Sequence, residues 1–379
     1  MKNIYLFLSA VFLLSITFLS CSEESPTNIS NDLTFSEKLQ RTLDKSSNDF
    51  NIKGISASIF IPGRENWSGS SGVSHANIAI TSSTLFIIGS VTKTFTSALV
   101  LKLAEEGLLS LDDSLYKWIP SFANIDSIIT IRHLLNHTSG VYDYSTHPDF
   151  WSFVGSDLNK KWTPEEILNS FVNAPYFSPG SDFHYSNTNY ILLGMIIEEA
   201  AQAEVAVLLR NRIFNPLGLN KTFLAGDETI SGILAHGWYD LTNNGEPDDV
   251  SSVPNTAFYS VSWTSGAIAA SVEDLNKFSQ ALFTGKLINQ SSLDEMLKYH
   301  SPTYSDFYNG YGLGIGSLGS LLVGGTNAAG HAGDAIGYCA LMVYLPAHDA
   351  SISIMINEVN SNCLCSISKS FVEIIEEYY

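Results

Sequence analysis

The chain has 379 residues, 45% of them hydrophobic, which is enough for a large buried core and excludes a chain that is mostly disordered. Its formal charge of −19 excludes a nucleic-acid partner, since a phosphate-binding surface needs clustered Lys and Arg. The length corresponds to one big domain or two interleaved ones.

Lys2, an apolar run from Ile4 to Leu19 and Ser20 just before Cys21 form a secretory signal over residues 1–20, too short and wrongly flanked for a membrane span. Cys21 at that junction resembles the lipobox of bacterial lipoproteins. The resemblance implies an exported protein whose Cys21 carries lipid, anchoring it to a membrane of the bacterial cell envelope on the periplasmic or outer surface; simple secretion is the alternative. Residues 21–32, polar and containing Pro26, read as a tether. Cys339, Cys363 and Cys365 then remain, an odd number that allows one disulfide or none. In an extended segment Cys363 and Cys365 share a face but sit too far apart to bridge.

Thr34-Phe35-Ser36-Glu37 is a capping box, and Phe35, Leu39 and Leu43 recur at helical spacing. Ile55, Ala57, Ile59 and Ile61 alternate as in a strand, and Pro62-Gly63 turns the chain into a second one over Trp67 to Val73. Phe86 to Glu106 switches to helical periodicity and stops at Gly107, with Ser90 to Lys93 in the first turn. Residues 112–283 carry further helices, after Thr163-Pro164 and over Tyr190 to Ala201, and read as a helix-rich lobe. Strands return at Tyr338–Leu345 and Ser351–Asn357, and Phe371, Ile374, Ile375 and Tyr378 mark a closing helix. Strands from both ends and helices from the middle imply an α+β domain over residues 33–379, with an antiparallel sheet completed by non-adjacent segments.

Ser90-x-x-Lys93 at a helix start puts an amine one turn from a hydroxyl, on the same face and able to take its proton. The helix N-terminus disfavours a second positive charge and lowers the pKa of that lysine. Ser366-x-x-Lys369 has the same spacing but reads as a closing helix with an exposed lysine. Tyr185-Ser186-Asn187 adds a phenol that can serve as phenolate or relay, and an amide that can bind a substrate carbonyl and hold the lysine. Gly330-His331-Ala332-Gly333 adds a histidine that can face a substrate carboxylate, and a glycine that lets a ligand lie against the backbone.

These three elements, in this order, resemble the class C β-lactamases, D-alanyl-D-alanine carboxypeptidases and related esterases of the serine penicillin-recognising group. Residues 131–140, Ser178-Pro179-Gly180, Asn215 to Leu219, and Thr264-Ser265-Gly266 ahead of Val272 to Leu275 are similar too, so the resemblance runs from about Leu33 to the end. It implies a β-lactamase/transpeptidase-like fold in which Ser90 is acylated, Lys93 and Tyr185 share the acid and base roles, and Asn187 binds the substrate amide. The backbone N–H groups of Ser90 and Asp334 would form the oxyanion hole, beside His331 and Gly333, with no cofactor. His331-Ala332-Gly333 replaces the Lys-Thr-Gly of most class C β-lactamases and is similar to the His-x-Gly of some carboxypeptidases and esterases.

The expected function is hydrolysis, through an acyl-enzyme, of a small molecule or peptide with a carbonyl near a carboxylate. A D-alanyl carboxypeptidase or esterase leads, with a β-lactamase or a non-catalytic penicillin-recognising protein as alternatives. No metal is expected: His133 and His137 lack the glutamate of a zinc-protease motif, and Asn243 to Asp249 lacks calcium-loop spacing. Tyr142, Tyr144, Trp151 and Trp162 are candidates for lining a cleft or for packing. The oligomeric state is not legible.

Overall fold

The structure, a computed structural model, describes residues 33–378 apart from residues 65, 243 and 301–306. The signal segment, Cys21 and the tether lie outside the described residues. No helix among the described residues is long and apolar enough to cross a membrane.

An eight-stranded antiparallel sheet runs in the order Ile78–Ala79, Trp67–His75, Gly54–Phe60, Ala350–Ile356, Tyr338–Leu345, Ala329–Ala335, Gly316–Leu318, Tyr308–Tyr311. The two ends of the chain meet at its centre, where Ile55, Ala57 and Ile59 oppose Ile356, Ile354 and Ile352. Residues two apart share a face, so these side chains, with Leu341 and Val343, form one apolar layer. Helices Phe35–Asp49 and Ser361–Glu377 cover it. The first is held at its start by the expected capping box, in which Thr34 and Glu37 bond each other's backbone N–H. Cys363 and Cys365 lie in the closing helix rather than an extended segment, so their side chains diverge around its axis; neither they nor Cys339 form a disulfide.

The opposite face is not solvated, although Ser56, Ser58, Ser351 and Ser353 line it. Helix Val272–Phe283 packs there, and its buried Asn276 donates to Ser58 Oγ (3.0 Å) and accepts from Ser351 Oγ (2.6 Å). The buried hydroxyls of Ser58 and Ser351 are tolerated because they are paired in this way. The larger apolar cluster lies beyond, around helices Thr92–Glu105 and Asn187–Ala201 and the lobe that includes helices Ile131–Leu135, Phe150–Ser156 and Pro164–Phe171.

The expected helix from Phe86 to Glu106 is three elements. Leu85–Ile87 is a strand paired with Ile268–Ser271, Gly89–Val91 is a 3₁₀ turn, and the α-helix begins at Thr92. A short apolar run satisfies both periods, and here partner strands decided the outcome. Gly89 takes φ +50°, and a Cβ there would stand 2.4 Å from the Asp334 carbonyl oxygen, so this turn needs glycine.

Asn276→Ala leaves the Ser351 hydroxyl buried without its acceptor and is expected to cost about 1–3 kcal/mol in stability. Urea unfolding measures this, and an unchanged midpoint would refute the structural weight given to that bridge.

Candidate active site

Ser90 is presented by the 3₁₀ turn and Lys93 by the first turn of the following helix, on one side of it. Lys93 is fully buried, and its Nζ lies 3.1 Å from Ser90 Oγ, 2.8 Å from Asn187 Oδ1 and 2.8 Å from the Ser265 carbonyl oxygen. Burial pulls its pKa down to about 7, with the nearby Asp143 carboxylate opposing the fall. An amine so placed is a usable base at neutral pH.

Tyr185 comes from the lobe, just ahead of helix Asn187–Ala201, which begins three residues before the expected Tyr190. Its side chain hydrogen-bonds Ser90, and its ring lies 4.9 Å from Lys93 Nζ. Burial raises the phenol well above its ordinary pKa, so it stands as a protonated relay and not as the phenolate that the sequence left open.

His137 fastens this segment. Its Nδ1 accepts from the Ser186 N–H (3.1 Å) and from Asn189 Nδ2 (3.0 Å), while its carbonyl oxygen accepts from the His184 N–H (3.0 Å). Burial holds the ring neutral, as these acceptor roles require. His133 and His137 thus have structural surroundings, and no metal-holding cluster exists among the described residues. Asp249 of the acidic stretch pairs with His236 Nδ1 at 2.7 Å.

Asn187 has both ends of its amide engaged: Oδ1 faces Lys93, and Nδ2 donates to Asp143 Oδ2 and Ser145 Oγ, each at 3.2 Å. It holds Lys93 here, one of the two roles that the sequence offered it. His331 is likewise engaged within the protein. The ring is buried, with Nε2 2.7 Å from Tyr311 Oη and Nδ1 2.6 Å from the Ala332 carbonyl oxygen. Burial, reinforced by the Lys93 charge, drops its pKa to about 3. It is a neutral ring donating to Ala332 and accepting from Tyr311, with no positive charge to turn toward a carboxylate.

Gly333 and Asp334 end the strand Ala329–Ala335, which runs against the serine turn. A Cβ at Gly333 would stand 2.7 Å from the Ser90 nitrogen, and one at Gly89 would stand 2.7 Å from the Asp334 nitrogen. The two backbones touch there, so the Ser90 and Asp334 N–H groups are neighbours beside the serine hydroxyl. Of the suggested aromatic residues, Tyr144, Trp151 and Trp162 are buried in the core, and only Tyr142 is partly exposed, stacked on Tyr176. Lys369 of the second Ser-x-x-Lys is exposed on the closing helix.

Sequence reasoning missed Asp143, Ser145, Ser265, Tyr308 and Tyr311. Asp143 and Ser145 flank Tyr144, which was considered, but nothing in their spacing points to Asn187, 44 and 42 residues away.

The model of the family described as Beta-lactamase matches residues 39–363. The chain belongs to the β-lactamase family. Its fold is the β-lactamase/transpeptidase-like one, mixing helices with an antiparallel sheet, and the family is one of serine hydrolases. The chain is 33% identical over 218 residues to penicillin-binding protein 4* of Bacillus subtilis, covering 55% of this chain and 47% of that one. It is 30% identical over 202 residues to penicillin-binding protein 4 of Amycolatopsis lactamdurans, covering 50% of each. It thus spans about half the length of these curated relatives. Among solved structures, D-amino acid amidase of Ochrobactrum anthropi SV3 superposes with a TM-score of 0.80 at 25% identity, over 91% of this chain and 99% of that one. A D-stereospecific amidohydrolase from Streptomyces sp. gives 0.74 at 29% identity, over 87% and 97%.

With Lys93 as the base that geometry offers Ser90, the rate of Ser90 acylation by p-nitrophenyl acetate should rise about tenfold per pH unit and level off. The levelling should come near pH 7, where the ammonium has lost its proton. A stopped-flow profile that is flat from pH 5 to 8 would exclude Lys93 as that base.

Proposed function

We propose that this protein is a serine hydrolase that works through an acyl-enzyme on amide and ester carbonyls, as an esterase-like or amidase-like enzyme of the bacterial cell envelope. The observation that carries it is the sharing of one hydroxyl by two proton carriers, with Ser90 Oγ 3.1 Å from Lys93 Nζ and hydrogen-bonded to Tyr185.

Neutral Lys93 takes the Ser90 proton as Oγ attacks the carbonyl carbon. The oxygen of that carbonyl becomes an oxyanion beside the Ser90 and Asp334 N–H groups; each such donor is typically worth about 3 kcal/mol. The protonated Tyr185 gives its proton to the departing nitrogen or oxygen and regains one from Lys93, which returns to the neutral amine as the acyl-enzyme forms. Water then attacks the ester to Ser90, giving its proton to Lys93, and Ser90 leaves with a proton restored.

The neutral, tyrosine-bound His331 supports substrates whose leaving group carries no carboxylate, so amides and esters rank ahead of β-lactams and of peptides ending in a free carboxylate. The likeness to a D-amino acid amidase and a D-stereospecific amidohydrolase supports the same ranking. A carboxypeptidase or β-lactamase is the second reading, supported by the relatives named as penicillin-binding proteins. A binding-only role would leave the lowered Lys93 pKa without use. The apolar segment ahead of Cys21 supports export and a lipid anchor at that residue.

The test is a panel of p-nitrophenyl acetate, D-alanine amide, a D-alanyl-D-alanine peptide and a penicillin, with intact-mass spectrometry of the protein lacking residues 1–21 and of its Ser90→Ala variant. We expect ester and amide turnover to fall at least about a thousandfold in the variant, while Ser366→Ala is silent. Turnover that survives Ser90→Ala would sink the mechanism, and faster hydrolysis of penicillin than of ester or amide would overturn the substrate ranking.

A further inference from the structure

Asp143 is a buried carboxylate that the mechanism above does not use. It caps the 3₁₀ turn Tyr144–Thr146, and its Oδ1 accepts from the Ser145 N–H (3.1 Å) and Ser145 Oγ (2.9 Å). Capping explains one oxygen. The other, Oδ2, accepts from Asn187 Nδ2 at 3.2 Å, across 44 residues of sequence. Three donors converge on this group and, with the nearby Lys93, favour its ionised form against the burial that raises its pKa.

The Asn187 amide has two N–H donors, and Asp143 and Ser145 take both. That leaves one orientation: the amide oxygen must face Lys93, as it does at 2.8 Å. Turned over, the amide would set its oxygen against a carboxylate and its N–H groups against an ammonium. The carboxylate is thus placed one residue behind the lysine, with Asn187 between them, and since both groups are buried its charge is poorly screened.

We infer that Asp143 is a positioning residue that acts on Ser90 through Asn187 and Lys93: it fixes which end of the Asn187 amide meets the lysine and sets a buried negative charge behind the amine. The inference rests on the acyl-enzyme reading for its effect on turnover, but not for its effect on Lys93.

The groups facing Lys93 are Ser90 on its own segment, Tyr185, Asn187 and Tyr190 from the lobe, His137, His331, the Ser265 carbonyl and Asp143. Burial pushes both histidines well below their ordinary range and both tyrosines above theirs. Among the lysine, histidines and tyrosines of this set, Lys93 is therefore the one that titrates near neutrality, and its titration reports on Asp143.

The experiment follows the ¹³Cε shift of Lys93 against pH in lysine-labelled protein, with the signal assigned from the Lys93→Arg spectrum. Removing the opposing negative charge favours the neutral amine, so Asp143→Asn is expected to move the Lys93 midpoint to lower pH by about one unit. Asp143→Glu, which keeps the charge, should return it most of the way. In the same samples the acid limb of ester hydrolysis should move down with the midpoint, and kcat should fall about tenfold or more with KM little changed. A merely structural cap would lower melting temperature or yield and leave the midpoint where it was. An unmoved midpoint in folded Asp143→Asn overturns the inference, whatever happens to activity. If that variant does not fold, Asp143→Ser, smaller and uncharged, carries the same prediction. If wild-type protein shows no Ser90-dependent turnover, the hydrolase reading fails while the NMR midpoint still decides this one.

Discussion

The structure turns on one buried amine. Lys93 has no exposed surface, yet each of its three N–H positions has an acceptor, from Ser90, Asn187 and Ser265. Burying an ammonium is costly, and the cost appears here as a pKa of about 7 rather than as an unpaired charge. The environment that removes water from Lys93 is thus what makes it a base. Each acceptor comes from a different segment, so the base exists only when the turn before helix Thr92–Glu105, the start of helix Asn187–Ala201 and the end of helix Thr256–Gly266 are docked together.

A second constraint is the contact between two backbones. Gly89 and Gly333 each lack the Cβ that would collide with the other's segment, and the strand Ala329–Ala335 can lie directly on the serine turn. This contact brings two peptide N–H groups beside Ser90. It also ties the site to the main sheet, whose centre is built by pairing the first strand with the last. The two ends of the chain hold the oxyanion side, while the lobe inserted between them brings Tyr185 and the Asn187–Asp143 pair. A hydrolytic site at the seam of the two layers follows from that division.

The polar interior around the site is continuous. His331, Tyr308, Tyr311 and Tyr190 share hydrogen bonds in one direction from Lys93, and Asn187, Asp143 and Ser145 do so in another. Both networks are buried, and one reaches Lys93 through Asn187 while the other runs on through Tyr190 to Ser97 and the Leu135 carbonyl. The neutrality of His331 is a product of its burial, reinforced by the Lys93 charge, and its bond to the Ala332 carbonyl opposes the shift. Membership of the β-lactamase family places the chain among serine hydrolases, while the charge around Ser90 bears on the substrate proposed for it.

Much of this was legible in the amino-acid order. Local signals sufficed for the capping box at Thr34, the alternating strands, the closing helix and the α+β arrangement, because each depends on side chains only a few residues apart. Ser90 and Lys93 were legible for the same reason, being one helical turn apart. The strand at Leu85–Ile87 was not, since its pairing with Ile268–Ser271 lies far along the chain and its apolar residues suit either period. Nor could spacing reveal that Asp143 reaches Asn187, that Ser265 offers its carbonyl to Lys93, or that Tyr311 closes off His331. By itself the sequence determined which residues are able to carry protons and attack a carbonyl. The protonation state of each, and which of them a substrate can touch, were decided by tertiary structure, because burial and long-range hydrogen bonds set both.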